Sequence, residues 1–183
     1  RGTRGAHLRG TATVGAVSGV ATFPGLSIDS AGAGYTLTAT SSGLASGTSG
    51  AFTVLPAPAV RLEWGVPPGS RTAGNVFSPA VQVALRDSLG NVATTTATSV
   101  TMTITAGSGA AGAVLAGTTP LAVVSGFATF ADLSIAKAGT GYTLTAGASG
   151  LPSIVSGTFS ITPGAAATVT VTPAGASVSG VDA

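Results

Sequence analysis

Apolar and polar residues alternate along most of this chain, and nowhere do apolar positions recur with the 3.6-residue period of an amphipathic helix. Val81-Gln-Val-Ala-Leu-Arg86 places Val81, Val83 and Leu85 on one face. Val100-Thr-Met-Thr-Ile-Thr105 puts Val100, Met102 and Ile104 inward and three threonines outward. Tyr142-Thr-Leu-Thr-Ala146 and Thr158-Phe-Ser-Ile-Thr162 obey the same rule. Successive side chains of a strand point to opposite faces, so each segment is predicted as a strand with one buried side. Threonine suits the wet side, because its branched β-carbon fits the pleat and its hydroxyl can pair across strands.

Turn-forming residues separate these segments at the intervals expected of a sandwich. Asp87-Ser-Leu-Gly-Asn91 follows a strand directly; it offers a carboxylate to the backbone, then Gly90 and Asn91 for positive φ. Ser18-Gly19 and Ser125-Gly126 read as two-residue hairpin turns between short apolar strands. Gly107-Ser-Gly-Ala-Ala-Gly112 reads as a flexible connection, and Pro67-Pro68-Gly69 and Pro79 as marks of an edge or a bend.

The pattern occurs twice. Val17–Pro56 and Val124–Pro163 match at a constant offset of 107, with 25 identities in 40 positions and no gap. That period is too long for a solenoid turn or a propeller blade, and it suits one β-sandwich per repeat. The match reaches back to Leu8 over Leu115. The expected organisation is the C-terminal half of one repeat in residues 1–57, a complete repeat in 58–164, and the first strand of a following domain in 165–183. Thr168–Thr172 alternates like the opening strand at Val60–Trp64. Half a sandwich leaves an apolar face bare and strand edges unpaired. The completing strands are expected either from sequence outside residues 1–183 or from an adjacent copy, for which Thr168–Thr172 is a candidate donor.

Composition narrows the function. Seven basic and five acidic residues make the chain only 7% charged, against about 25% in ordinary globular proteins. A surface so poor in charge makes sense when neighbouring copies cover it, or sugars on Ser and Thr. The mean hydropathy is +0.56, but no apolar run approaches the roughly 20 residues that span a bilayer, so no transmembrane segment is expected. The sole basic cluster, Arg1, Arg4, His7 and Arg9, has no interleaved aromatics, and no nucleic-acid partner is expected. Cysteine is absent, which removes disulfides and thiolate metal sites as supports. A repeat of about 105 residues can bury enough surface to stand without them.

The only two tyrosines, Tyr35 and Tyr142, are repeat equivalents, each placed at the start of a strand after a glycine-rich bend. This is where a sandwich sets a tyrosine corner, with the ring packed and the hydroxyl bonded to nearby backbone. Trp64, the sole tryptophan, is expected in the core or at a domain junction, with carbohydrate stacking as the alternative. Lone Arg86 and Lys137 are expected to be solvated.

Taken together, Thr72-Ala-Gly74, Ser78-Pro-Ala-Val81, Asp87-Ser-Leu-Gly-Asn91, Val124-Ser-Gly-Phe-Ala-Thr-Phe130, Leu133-Ser-Ile135 and Gly139-Thr-Gly-Tyr-Thr-Leu-Thr-Ala146 resemble the tandem bacterial immunoglobulin-like (Big-type) repeats of large surface and secreted proteins. The resemblance implies an all-β fold of tandem Ig-like Greek-key β-sandwiches and a role as spacer, adhesive stalk or polymer building block. It carries over no catalytic residues. Some relatives bind calcium at domain junctions, but the acid clusters for that are missing in this sequence.

The chemistry-bearing residues agree with a non-catalytic reading. The single His7 falls in the incomplete repeat, where the complete one has Val114. Asp29, Glu63, Asp87, Asp132 and Asp182 are scattered singly, without the converging oxygens a hard cation requires. Gly139-Thr-Gly141 lacks the following helix of a phosphate loop. No enzyme activity, cofactor or metal is expected, and Tyr35, Trp64, Asp87, Gly90, Asn91 and Tyr142 stand as structural positions. The expected role is a structural extracellular repeat protein at a bacterial cell surface, a building block of a fibre, sheath or surface layer whose main partners are other copies of itself. The alternatives are an adhesin stalk or a carbohydrate-binding module of a larger secreted protein, with surface glycans as partners.

Overall fold

A computed structural model describes residues 5–166 of the chain. The strand expected at Thr168–Thr172 lies outside the described residues. The first repeat forms β1 (Leu8–Arg9), β2 (Ser27–Ile28), β3 (Gly32–Tyr35), β4 (Thr38–Ala39), β5 (Gly47–Thr48) and β6 (Phe52–Val54). They pair antiparallel as β1–β2, β3–β6 and β4–β5.

The second repeat forms β7 (Arg61–Val66), β8 (Arg71–Thr72), β9 (Val81–Arg86), β10 (Ser99–Ile104), β11 (Leu115–Ala116), β12 (Leu121–Ala122), β13 (Phe127–Phe130), β14 (Ser134–Ile135), β15 (Gly139–Tyr142), β16 (Leu144–Ala148), β17 (Leu151–Val155) and β18 (Phe159–Thr162). Its two main sheets have the strand orders β12-β10-β16-β17 and β13-β9-β7. A third sheet, β15-β18-β8, contains the parallel pair β8–β18, and β11 pairs with β14. No described residue is helical, and the molecule is all-β with several sheets, in keeping with the sandwich class.

The alternation dictates the core. Val81, Val83, Leu85 and Val100 are fully buried and Met102 nearly so, while Thr101 and Thr103 are exposed. Leu144 and Ala146 of β16 and Phe130, Leu133 and Ile135 close the same cluster. Each fully buried Val or Leu contributes about 1.5–3 kcal/mol relative to an exposed one. The hairpins at Ser18-Gly19 and Ser125-Gly126 have positive φ at both residues (51° and 80°, 50° and 82°), as a tight turn with the twist of its strands requires. Backbone hydrogen bonds close them between Val17 and Val20 and between Val124 and Phe127.

Several local expectations change. The Gly107–Gly112 segment is a packed turn, not a flexible connection: Gly109 N donates to Gly141 O at 3.1 Å, and Gly109 lies so close to the Tyr142 ring that a β-carbon has no room. Tyr35 and Tyr142 end strands β3 and β15 instead of opening one, because each glycine-rich stretch itself pairs, with β6 and with β18, across a register irregularity. Strand β7 does not close at Trp64; it passes through an irregularity at Gly65 and runs to Val66. Arg86 is not solvated: it is half-buried and pairs with Glu63 at 3.3 Å. Lys137 is exposed, as expected, with its Nζ on Ala111 O at 2.6 Å.

Candidate functional site at the repeat junction

The sequence order places Asp87–Asn91 immediately after the core strand β9, so the turn emerges at the end of the second repeat that faces the first. Asp87 is buried at 1% exposure, and its carboxylate collects donors from three directions. Oδ1 accepts from Leu89 N at 2.9 Å and Asn91 N at 2.8 Å. Oδ2 accepts from Asn91 Nδ2 at 3.0 Å and from Ala57 N, on the linker between the repeats, at 3.1 Å. Gly90 takes the left-handed conformation (φ 89°), and its N–H donates to Asp87 O. Arg61 and Arg86 brace the turn from outside by donating to Asp87 O and Gly90 O.

Burial alone opposes ionisation of Asp87. The hydrogen bonds from the Asn91 side chain and backbone, Ala57 and Leu89 together outweigh it and hold the carboxyl below its ordinary value of 3.8. The turn therefore owes its shape to an anion buried among donors, a stronger arrangement than neutral turn bonds.

Asn91 does something the sequence reading did not assign to it. It does not take a positive φ; its side chain reaches across to the preceding repeat. Oδ1 accepts from Ala31 N at 2.9 Å, and Nδ2 donates to Asp29 O at 3.2 Å. Ala31 N can only donate and Asp29 O can only accept, so one orientation of the amide satisfies every partner. The signal in the sequence was the spacing Asp-x-x-x-Asn: one polar side chain to shape the turn and a second left over to bond something else.

The surface that Asn91 reads is also held by predicted residues. Tyr35 Oη donates to Ser30 O at 2.9 Å, fixing the turn that carries Asp29 O and Ala31 N. The Asp29 carboxylate points into its own repeat, accepting from His7 N at 2.8 Å and pairing with Arg9 at 2.9 Å. The His7 backbone bond is the main cause that lowers its pKa, with Arg9 assisting. In the second repeat Tyr142 Oη makes the equivalent bond to Lys137 O at 2.7 Å, with the ring fully buried and 5.8 Å from that of Phe159.

Trp64 sits apart from the junction. It packs half-buried against the core, and its indole N–H donates to Val155 O at 3.2 Å, tying β7 to β17 of the other sheet. A second surface feature is an open groove of about 640 Å³ on the first repeat, with Leu8, Phe23, Leu26 and Leu37 in its lining. At the offset of 107 their counterparts are Leu115, Phe130, Leu133 and Leu144, which in the second repeat pack in one core with residues of β9 and β10. Among the described residues no three His, Cys, Asp or Glu side chains group as metal ligands, and no helix is long and apolar enough to cross a membrane. No known protein family matches the chain, and no curated protein is significantly similar to it.

Proposed function

We propose that this chain is a structural, non-catalytic repeat protein: tandem Ig-like Greek-key sandwiches, divided near residue 57, strung end to end in a fibre, sheath or surface layer outside a bacterial cell. The observation that carries this reading is the junction. A spacer domain on a free tether needs no hydrogen bonds to its neighbour, whereas Asn91 and Asp87 fasten the second repeat to Asp29, Ala31 and Ala57 of the first and its linker. The low charge of the surface and its exposed Val17, Leu44, Leu55, Val114 and Val124 favour contact with further copies. The groove on the first repeat is a second place for such contact, through strands equivalent to β7, β9 and β10. The half-buried Trp64, its N–H already used, supports packing over sugar stacking.

Sedimentation and negative-stain microscopy of the purified chain test the proposal. The expected result is concentration-dependent growth of elongated assemblies. A chain that stays a monomeric rod at every concentration refutes the building-block role and leaves the adhesin stalk.

A further inference from the structure

The junction contacts imply a second, equivalent docking site at the far end of the complete repeat. Among the described residues of the first repeat, Asn91 bonds only backbone atoms, Asp29 O and Ala31 N. Recognition of backbone does not depend on the side chains there, so the site can recur wherever the turn has the same shape. At the offset of 107 the corresponding residues are Ala136, Lys137 and Ala138. The shape is kept by the same device, since Tyr142 bonds Lys137 O as Tyr35 bonds Ser30 O, each five residues back. The flanking register is kept too: Gly139 pairs with Ile161 and Tyr142 with Phe159, as Gly32 pairs with Val54 and Tyr35 with Phe52.

The two copies of the turn differ in cover. Asp29 and Ser30 are half-buried under the Asp87–Asn91 turn, whereas Ala136 and Lys137 are exposed. Pro56 at the end of the first repeat is half-buried, and its counterpart Pro163 is exposed. The Lys137 side chain does not obstruct the site, because its Nζ folds back to Ala111 O.

From these we infer that Ala136–Ala138 is a preformed docking site for the Asp-x-x-x-Asn turn of a following repeat of the same kind, whose Asn accepts from Ala138 N and donates to Ala136 O. Gly164, the counterpart of Ala57, then supplies an N–H to that repeat's buried Asp. The tyrosine fixes the turn, the Asn reads it and the Asp couples the linker to both, so each joint of an array is set by the same small group of atoms. The inference rests on the tandem-repeat reading but not on self-assembly, and a monomeric rod with rigid joints satisfies it.

Amide hydrogen exchange by NMR on two chains tests it: the 183-residue chain, and a lengthened one carrying a second copy of residues 57–163 directly after Pro163. Exchange at Ala138 is expected to slow by about tenfold in the lengthened chain, approaching the rate at Ala31, as one added hydrogen bond implies. Replacing the added counterpart of Asn91 by Ala should return Ala138 to its original rate, while emission from the added counterpart of Trp64 shows that the repeat stays folded. If that variant unfolds, replacement by Asp keeps the acceptor and loses the donor, and should retain the Ala138 protection. Equal exchange at Ala138 in both chains, with the added repeat folded, overturns the proposal. So does protection that survives the replacement by Ala, protection lost in a folded Asp variant, or protection in the original chain that rises with its concentration.

Discussion

The two copies of the 40-residue segment share a backbone and differ in what surrounds it. Leu8 pairs with Ile28 as Leu115 pairs with Ile135, and Thr38 pairs with Thr48 as Thr145 pairs with Val155. Burial diverges at the same positions. Phe130 is 1% exposed and Phe23 37%; Phe159 is 5% exposed and Phe52 36%. Leu144 and Ala146 are buried, whereas Leu37 is half-buried and Ala39 exposed. Local sequence is therefore enough to set strand pairing and register, but burial comes from the strands placed opposite. In the second repeat those are β9 and β10, which the described part of the first repeat lacks.

Truncating the equivalent aromatic in each copy should give the largest difference between them. Phe130→Ala should destabilise the second repeat by about 3–5 kcal/mol, the cost of a large cavity in a closed core. Phe23→Ala should cost less, about 1 kcal/mol, because its ring is 37% exposed at an open groove and its loss leaves no closed cavity. Urea unfolding measures both, followed by Trp64 fluorescence for the second repeat and by amide exchange in β1–β6 for the first. Similar losses would show that the first copy is buried as deeply as the second.

The hairpin glycines of the two copies differ by the neighbour of a single atom. Gly19 and Gly126 share a positive φ, so an alanine at either is strained by about 1–2 kcal/mol. At Gly126 the new β-carbon also strikes Val92 Cγ1, while at Gly19 nothing lies within 4 Å. Gly126→Ala should therefore cost about 2–4 kcal/mol once overpacking is added, and Gly19→Ala only the backbone strain. Equal losses in thermal unfolding would leave Val92 without a part in the difference.

The junction turn has no counterpart in the described first repeat. Asp87→Asn removes the charge that gathers Leu89, Asn91 and Ala57, and should cost about 2 kcal/mol, a typical value for hydrogen bonds to a charged group. The folded pKa of Asp87 lies below its unfolded value, so its contribution is complete above about pH 3.8 and is lost as pH falls through the folded value. A series of urea unfolding curves below pH 5 should show this loss in the parent chain and not in Asp87→Asn. Parallel pH profiles for the two chains would contradict the assignment.

The long strands β7, β9, β10 and β18, the inward set of β9 and β10 and the hairpin turns were legible in the sequence because they are local, whereas β8 and β17 were not read and the Tyr142–Ala146 run divides between β15 and β16. Alternation and turn chemistry act within a few residues, and the offset of 107 carried them from one copy to the other. What stayed hidden depends on partners distant along the chain. The packing of Gly109 on the Tyr142 ring joins segments some thirty residues apart, and nothing in a run of Gly and Ala announces it. The half-burial of Arg86 follows from the turn that folds over it. The reach of Asn91 to Asp29 and Ala31 crosses 60 residues and depends on how two repeats abut. Asp87 could be read as a turn residue from its position; that its carboxylate also holds the linker through Ala57 could not.

The smallest expected effect separates the two tyrosines. Both hydroxyls donate to a carbonyl five residues earlier, at 2.7 Å for Tyr142 and 2.9 Å for Tyr35. Replacement by Phe keeps each ring and removes only that bond. In the second repeat the ring is fully buried and the turn it fixes is part of a closed core, so Tyr142→Phe should lower the global unfolding free energy by about 0.5–1.5 kcal/mol. In the first repeat the same bond steadies a turn beside an open face, so its loss should be felt locally. Tyr35→Phe should leave global unfolding unchanged within about 0.5 kcal/mol while amide exchange at Ala31 speeds up, because the turn no longer holds that N–H against Asn91. An equal drop in global stability for both variants would mean that the two repeats unfold as one cooperative unit. The junction would then transmit the tyrosine's contribution, and burial differences between the copies would not decide where it is felt.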